Sequence, residues 1–205
     1  MYLRAGVLSL GLLMASRVLG LLRESVQAAA FGSTGLGDAV IVMFTLPDLL
    51  VGILFSGALS YVLLPLWAQQ NPAQLQISQR KVARVLLAAG VFLGAVVWLG
   101  RHALGEALAP GLLGEMKALG ASSLGWSAVV LPLAMIAALW VTRLQHERDF
   151  VGMYAGNLLV NVLLVSSLFW VAHTSLGGAL NATVTVLGSF LVLAMLARLG
   201  WLYWR

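Results

Sequence analysis

The sequence has no cysteine, three histidines and few charges: 12 lysines and arginines and 7 aspartates and glutamates in 205 residues. Without cysteine there is neither a disulfide framework nor a thiolate metal site. Charged residues make up 9% of the chain, against about 25% in a typical soluble domain, which is too little to cover a water-facing surface. A soluble enzyme, a nucleic-acid-binding domain and a disordered tail are therefore excluded. The sequence pI near 10.2 does not reopen the nucleic-acid reading, because the basic residues are scattered singly and form no patch. A β-barrel would show alternating strands of about 10 residues, and the apolar runs here are longer and continuous.

What the sequence has in abundance is apolar length. Hydrophobic residues reach 61% and the mean hydropathy is +0.97, so an all-α polytopic membrane protein is expected. At roughly 20 residues per crossing, six transmembrane helices are expected, over 3–31, 38–67, 82–99, 124–142, 151–172 and 176–204 of one transmembrane domain. The connections predicted are a Gly-rich turn at 31–37, a polar loop at 69–79, a long link at 101–123 with room for a short interfacial helix, and a charged loop at 145–149. Pro47 and Pro132 fall inside spans and are expected to bend them. The first apolar stretch runs into Arg17, Arg23 and Glu24 with no small-residue cleavage pattern, so it is read as a span and not a removable signal.

The basic residues orient the chain. Arg4, Arg80, Lys81, Arg84, Arg143, Arg148, Arg198 and Arg205 fall on one side, and only Arg101 and Lys117 on the other. Both termini are expected in the cytoplasm, consistent with an even number of spans.

Arg17 and Arg23 lie within the first span. At 100° per residue, Ser16, Arg17, Gly20, Arg23, Glu24 and Gln27 share an arc of about 100–120°, with Ser9 in the same sector. An arginine at the bilayer centre costs at least about 2.5–3.5 kcal/mol if unpaired, so this polar stripe must face protein or water. One reading is a structural ion pair of Arg17 with Glu24 or Asp38. The other is a cationic cavity for an anionic ligand, since two arginines exceed one adjacent glutamate and guanidinium suits bidentate phosphate binding.

Other polar positions have a plainer reading. Gly52, Ser56 and Ser60 make a small-residue stripe suited to close helix packing. Asn157 and Asn161, with Tyr154 nearby, either bond neighbouring helices or line a cavity, packing being the commoner role; Asn181, Thr185, Gly188 and Ser189 read the same way. His102, His146 and His173 never approach within i+4 of one another, so no metal site is expected, and no cofactor. No nucleophile–base pair stands out at depth; an enzyme is the second class of function and a transporter the first.

The ordered set Ser16-Arg17-Val18-Leu19-Gly20-Leu21-Leu22-Arg23-Glu24, Ala30-Phe31-Gly32, Asp38-Ala39, Phe44, Leu46-Pro47-Asp48-Leu49-Leu50, Gly57-Ala58 and Pro65 resembles the opening of the MurJ/MviN lipid II flippases. These belong to the multidrug/oligosaccharidyl-lipid/polysaccharide exporter superfamily. The resemblance continues more weakly through Leu144 to Asn161, with Phe150 in register, and from Gly178-Ala179-Leu180 to Leu191. It implies a bacterial inner-membrane protein that moves an undecaprenyl-pyrophosphate-linked peptidoglycan precursor by alternating access. Its cationic cavity would use Arg17 and Arg23, with Asp38 as acidic partner.

There are departures. Val51-Gly52 replace the family's basic residues, Ser56 replaces an acidic one, and Gly152 and Gly156 replace prolines. The chain resembles only the first six-helix lobe of a fourteen-helix family. Alternating access would then call for a second copy of the chain or a separately encoded second lobe as partner, besides the lipid-linked pyrophosphate glycan and membrane lipids; no nucleic acid is expected. The alternative is a truncated or accessory membrane protein that assembles with cell-wall machinery without transporting.

Overall fold

The computed structural model describes residues 2–32, 34–55, 58–174 and 179–205. They form α1 (Tyr2–Phe31), α2 (Gly35–Phe55), α3 (Ala58–Ala68), α4 (Pro72–Leu108), α5 (Glu115–His146), α6 (Phe150–His173) and α7 (Leu180–Trp204), with no strand among the described residues. By length and composition, five of these helices can cross a membrane: α1 from Gly6, α4, α5, α6 and α7; Leu59–Ala68 is a shorter apolar helix. The chain is a multi-pass membrane protein.

Over their described residues the expected spans are helical apart from Ala179, with three differences. The second, 38–67, is two helices, α2 and α3; of its small-residue stripe Ser56 lies outside the described residues, as do Gly57 and Gly178 of the motifs. The expected polar loop at 69–79 shrinks to three residues, because α4 starts at Pro72. Asn71 caps it by accepting from Gln74 N–H at 2.9 Å, while the Gln74 side chain accepts from Asn71 N–H at 3.2 Å, a capping box with proline at the first helical position. The expected 101–123 link is mostly helix as well, divided between the end of α4 and the start of α5.

Helix α5 is the hub. It packs against α2, α3, α4, α6 and α7, and 56% of its most apolar window is buried, against 11% for α1. Its small residues allow that crowding. A Cβ on Gly94 of α4 would stand 2.6 Å from the Ala128 carbonyl oxygen of α5, and a Cβ on Gly188 of α7 would overlap the Trp126 indole. Gly188 therefore serves packing inside this bundle, while Thr185 and Ser189 bond back to the carbonyls four residues earlier. Ser127 of α5 donates to the Met43 carbonyl of α2 at 2.9 Å, which satisfies a hydroxyl buried between the two helices.

At one end, α6 and α7 are pinned by polar contacts. Asp149 caps α6 through Gly152 N–H at 2.9 Å and accepts two bonds from the Arg205 guanidinium at 3.0 Å each. Burial pushes the Asp149 carboxyl up, but the Arg205 bonds, the Gly152 N–H and the Arg205 charge together outweigh it and hold the group below the usual carboxylate range. Trp201 Nε1 donates to the Gly152 carbonyl at 2.8 Å.

The Gly94 contact is testable. Gly94→Ala must push back a backbone carbonyl, and overpacking of this kind costs about 1–3 kcal/mol. Gly11→Ala meets nothing within 4 Å and is expected to be neutral or stabilising. Thermal unfolding in detergent should therefore drop for the first variant only; equal melting of both would refute the close α4–α5 approach.

Candidate functional site

Helix α1 has two faces. Val7, Leu10, Met14, Val18, Leu21 and Leu22 are exposed, on the arc that suits acyl chains. Ser9, Ser16 and Gln27 are buried on the opposite arc, turned toward α6 and α2. Ser9, Ser16 and Gln27 of the polar stripe are thus on the face by which α1 meets the protein, while Arg17 and Glu24 of the same stripe are exposed.

The middle of that stripe fastens helices. Asn161 Nδ2 on α6 donates to the Ser16 carbonyl at 3.0 Å and to its hydroxyl at 3.3 Å. Gly20, one turn further, faces the same amide, with 4.0 Å from its Cβ position to Asn161 Nδ2. Asn157 lies one turn earlier on α6, half-buried.

Beyond Gly20, α1 and α2 part to leave a cleft of about 290 Å³, lined by Arg23, Glu24 and Gln27 of α1 and by Ile41, Phe44 and Thr45 of α2. Beside the cleft α1 ends at Phe31 and α2 starts at Gly35. Gly32 takes a left-handed φ of 57°, and Thr34 Oγ1 donates to the Phe31 carbonyl at 2.6 Å. The Arg23 guanidinium lies 5.9 Å from the Phe44 ring centroid and 4.0 Å from Glu24 Oε1, its side chain 16% exposed against 71% for Glu24. Arg23 Nε is buried and has no hydrogen-bond partner. A guanidinium that rests on an aromatic face with a donor unmet is a ready site for an oxyanion.

Of the expected site residues, Arg23, Glu24 and Gln27 meet in this cleft. Arg17 and Asp38 are exposed and lie outside its lining, Arg17 about 9 Å before Arg23 along the helix. Among the described residues no ion pair joins Arg17 to Glu24 or Asp38. Ser16 and Asn161 bond to each other across the α1–α6 contact. The histidines lie elsewhere: the His146 ring meets Trp67 edge-on at 5.9 Å, and His173 Nδ1 is 2.9 Å from the Phe169 carbonyl.

Two ionisable residues were missed. Asp48 is exposed on α2, a helix that packs against both α1 and α7. Arg198 is half-buried, its Nε out of contact with solvent and without a hydrogen-bond partner. The signal was available for Asp48, since a carboxylate in the middle of an apolar run is a site candidate by default.

Helices long and apolar enough to cross a membrane, packed around a shared hub, define a polytopic membrane protein. The family model described as lipid II flippase MurJ matches residues 27–200, and the chain belongs to that family. It is 24% identical over 190 residues to a probable lipid II flippase MurJ of Treponema pallidum (strain Nichols), covering 90% of this chain and 36% of that protein. It is 39% identical over 67 residues to the probable lipid II flippase MurJ of Rickettsia prowazekii (strain Madrid E), 33% of this chain and 13% of the relative. The chain spans about a third or less of the length of these relatives. No solved structure matches it significantly. The family match begins just after Arg23 and includes Asp38, Asp48 and Arg198.

The α1–α6 contact can be checked directly. Asn161→Leu should lower stability in detergent by about 0.6–1.7 kcal/mol, the range for membrane-helix hydrogen bonds. Ser16→Ala should lower it less, because the bond to the Ser16 carbonyl survives. The order reversed in thermal unfolding would mean that the carbonyl bond is not the main fastening.

Proposed function

We propose that this chain forms one lobe of a flippase that carries an undecaprenyl-pyrophosphate-linked glycan, lipid II or a chemical analogue, across the bacterial inner membrane by alternating access. The opposing lobe is a second copy of the chain or a separate polypeptide. One observation carries this reading: Arg17, Glu24, Asp38 and Asp48 are exposed on α1 and α2, around a cleft where Arg23 has an unmet donor. Hydrocarbon gives such groups nothing to bond. A water-filled cavity between two lobes does, and a broken or charged helix region at the interface of repeats is where transporters place their substrates.

The roles follow from the chemistry. Arg23 and Arg17 bind the pyrophosphate, guanidinium being matched to phosphate oxygens; Glu24 and Asp38 balance their charge while the site is empty. Gln27 presents an amide to the headgroup. Ser16, Asn157 and Asn161 hold the wall behind them. These roles amount to binding and moving a lipid, so the activity proposed is transport and not catalysis. The family membership and the relatives' names support the lipid II class of substrate. Even with Arg198 withdrawn from the count, basic residues favour the side of Arg80, Arg143, Arg148 and Arg205, which supports cytoplasmic termini.

Binding of undecaprenyl pyrophosphate to the protein in nanodiscs tests the site. Arg23→Ala and Arg17→Ala should each weaken it about tenfold or more, since a charge-assisted bond of roughly 1.5–3 kcal/mol is lost. Wild-type affinity in both variants would sink the cavity reading. Reporter fusions at Gln70 and Arg148 should be cytoplasmic and one at Leu113 periplasmic; the opposite pattern would overturn the orientation.

A further inference from the structure

Within a helix each peptide N–H donates to the carbonyl four residues back, and a proline leaves that carbonyl without its partner. Pro47 lies inside α2, so the carbonyl it frees is that of Met43. Met43 is fully buried, out of reach of water, and an orphaned carbonyl there is costly. The missing donor comes from another helix. Ser127 of the hub α5, also fully buried, donates its hydroxyl to the Met43 oxygen at 2.9 Å. Among the described residues this is the one hydrogen bond between α2 and α5.

The same turn of α2 serves the cleft. Phe44 and Thr45 follow Met43 directly and line it, and the Phe44 ring centroid lies 5.9 Å from the Arg23 guanidinium. A bond to the Met43 carbonyl therefore fixes how these two side chains are presented to α1. Its donor also has a second acceptor. Ser127 Oγ lies 3.2 Å from the Ser123 carbonyl of its own helix, the acceptor four residues back that a helical serine can use. Were α2 to move off the hub, the hydroxyl would keep a partner and only the Met43 carbonyl would lose one.

We propose that Ser127 replaces the N–H that Pro47 lacks, and that by tying α2 to the hub at this turn it acts as a positioning residue for the cleft, whose lining it does not join. The replacement stands without the flippase reading; the positioning rests on it, because the cleft's ligand comes from that reading.

Two measurements on the full-length chain, made on the wild type, Ser127→Ala, Pro47→Ala and the double variant, separate the halves. Thermal unfolding in detergent tests the replacement. Ser127→Ala should melt lower by about 2–4 °C or more. With Pro47→Ala present the Met43 carbonyl regains an N–H from its own helix, so the same Ser127→Ala change should cost little. Binding of undecaprenyl pyrophosphate in nanodiscs tests the positioning. Ser127→Ala should weaken it about three- to tenfold, the equivalent of one net hydrogen bond. The double variant should bind as weakly, because its replacement bond is made within α2 and does not reach α5. An equal loss of melting temperature from Ser127→Ala in both backgrounds refutes the replacement, and the positioning with it. A loss confined to the Pro47 background, with binding unchanged by Ser127→Ala or full in the double variant, refutes the positioning and leaves a structural tie. The same confined loss with no binding by the wild-type protein removes the flippase reading, and the positioning with it, while the replacement stands.

Discussion

Lipid offers no partner to a polar side chain, and that constraint orders this chain. Every ionisable group carried into the membrane needs protein, water or an opposite charge beside it. Helix α1 meets the requirement by division of labour along one stripe. Ser16 is satisfied outright by Asn161, which fixes the rotation of α1 about its axis. With that rotation set, Leu10, Met14 and Leu21 face outward and Arg23 faces α2. The hydrogen bond of the stripe's middle therefore aims the arginine at its end.

Part of this was legible in the sequence because it is periodic. The stripe on α1 follows from 100° per residue alone, and the cost of charge in lipid adds the expectation that it faces protein or water. The six apolar runs gave the helices, since hydropathy over about 20 residues decides them. The first two turns of α4 escaped because hydropathy is blind to a glutamine-rich segment, although Asn71, Pro72 and Gln74 spell a helix start in capping chemistry. The shortened loop at Gln69 to Asn71 follows from that cap.

The site was legible only where its residues share a helix. Arg23, Glu24 and Gln27 are neighbours on one turn of α1, and the cleft contains all three. Asp48 and Arg198 are 150 positions apart, on α2 and α7, two helices that only the fold packs together. Arg198 lies near a helix end, where charges usually snorkel to the interface, but it is half-buried, with its Nε out of contact with solvent. Asn161, for which the sequence favoured helix packing over cavity lining, spends its amide on the Ser16 carbonyl.

The remaining asymmetry bears on how the chain works. Helix α4 exposes Val85, Val91, Phe92, Val96 and Leu99, an unbroken apolar surface that needs nothing but acyl chains. The exposed surface of α1 and α2 includes Arg17, Glu24, Asp38, Thr45 and Asp48, which acyl chains cannot satisfy. Lipid can therefore surround the bundle on the α4 side and must be kept from the α1–α2 side. Whatever covers that side has to bring water, counter-charge or both, and the cleft with Arg23 opens onto the same side. Ligand binding and the covering of the bundle then draw on one set of residues. A change that neutralises those charges would make the surface easier for lipid to cover, and by the same step it would weaken the site.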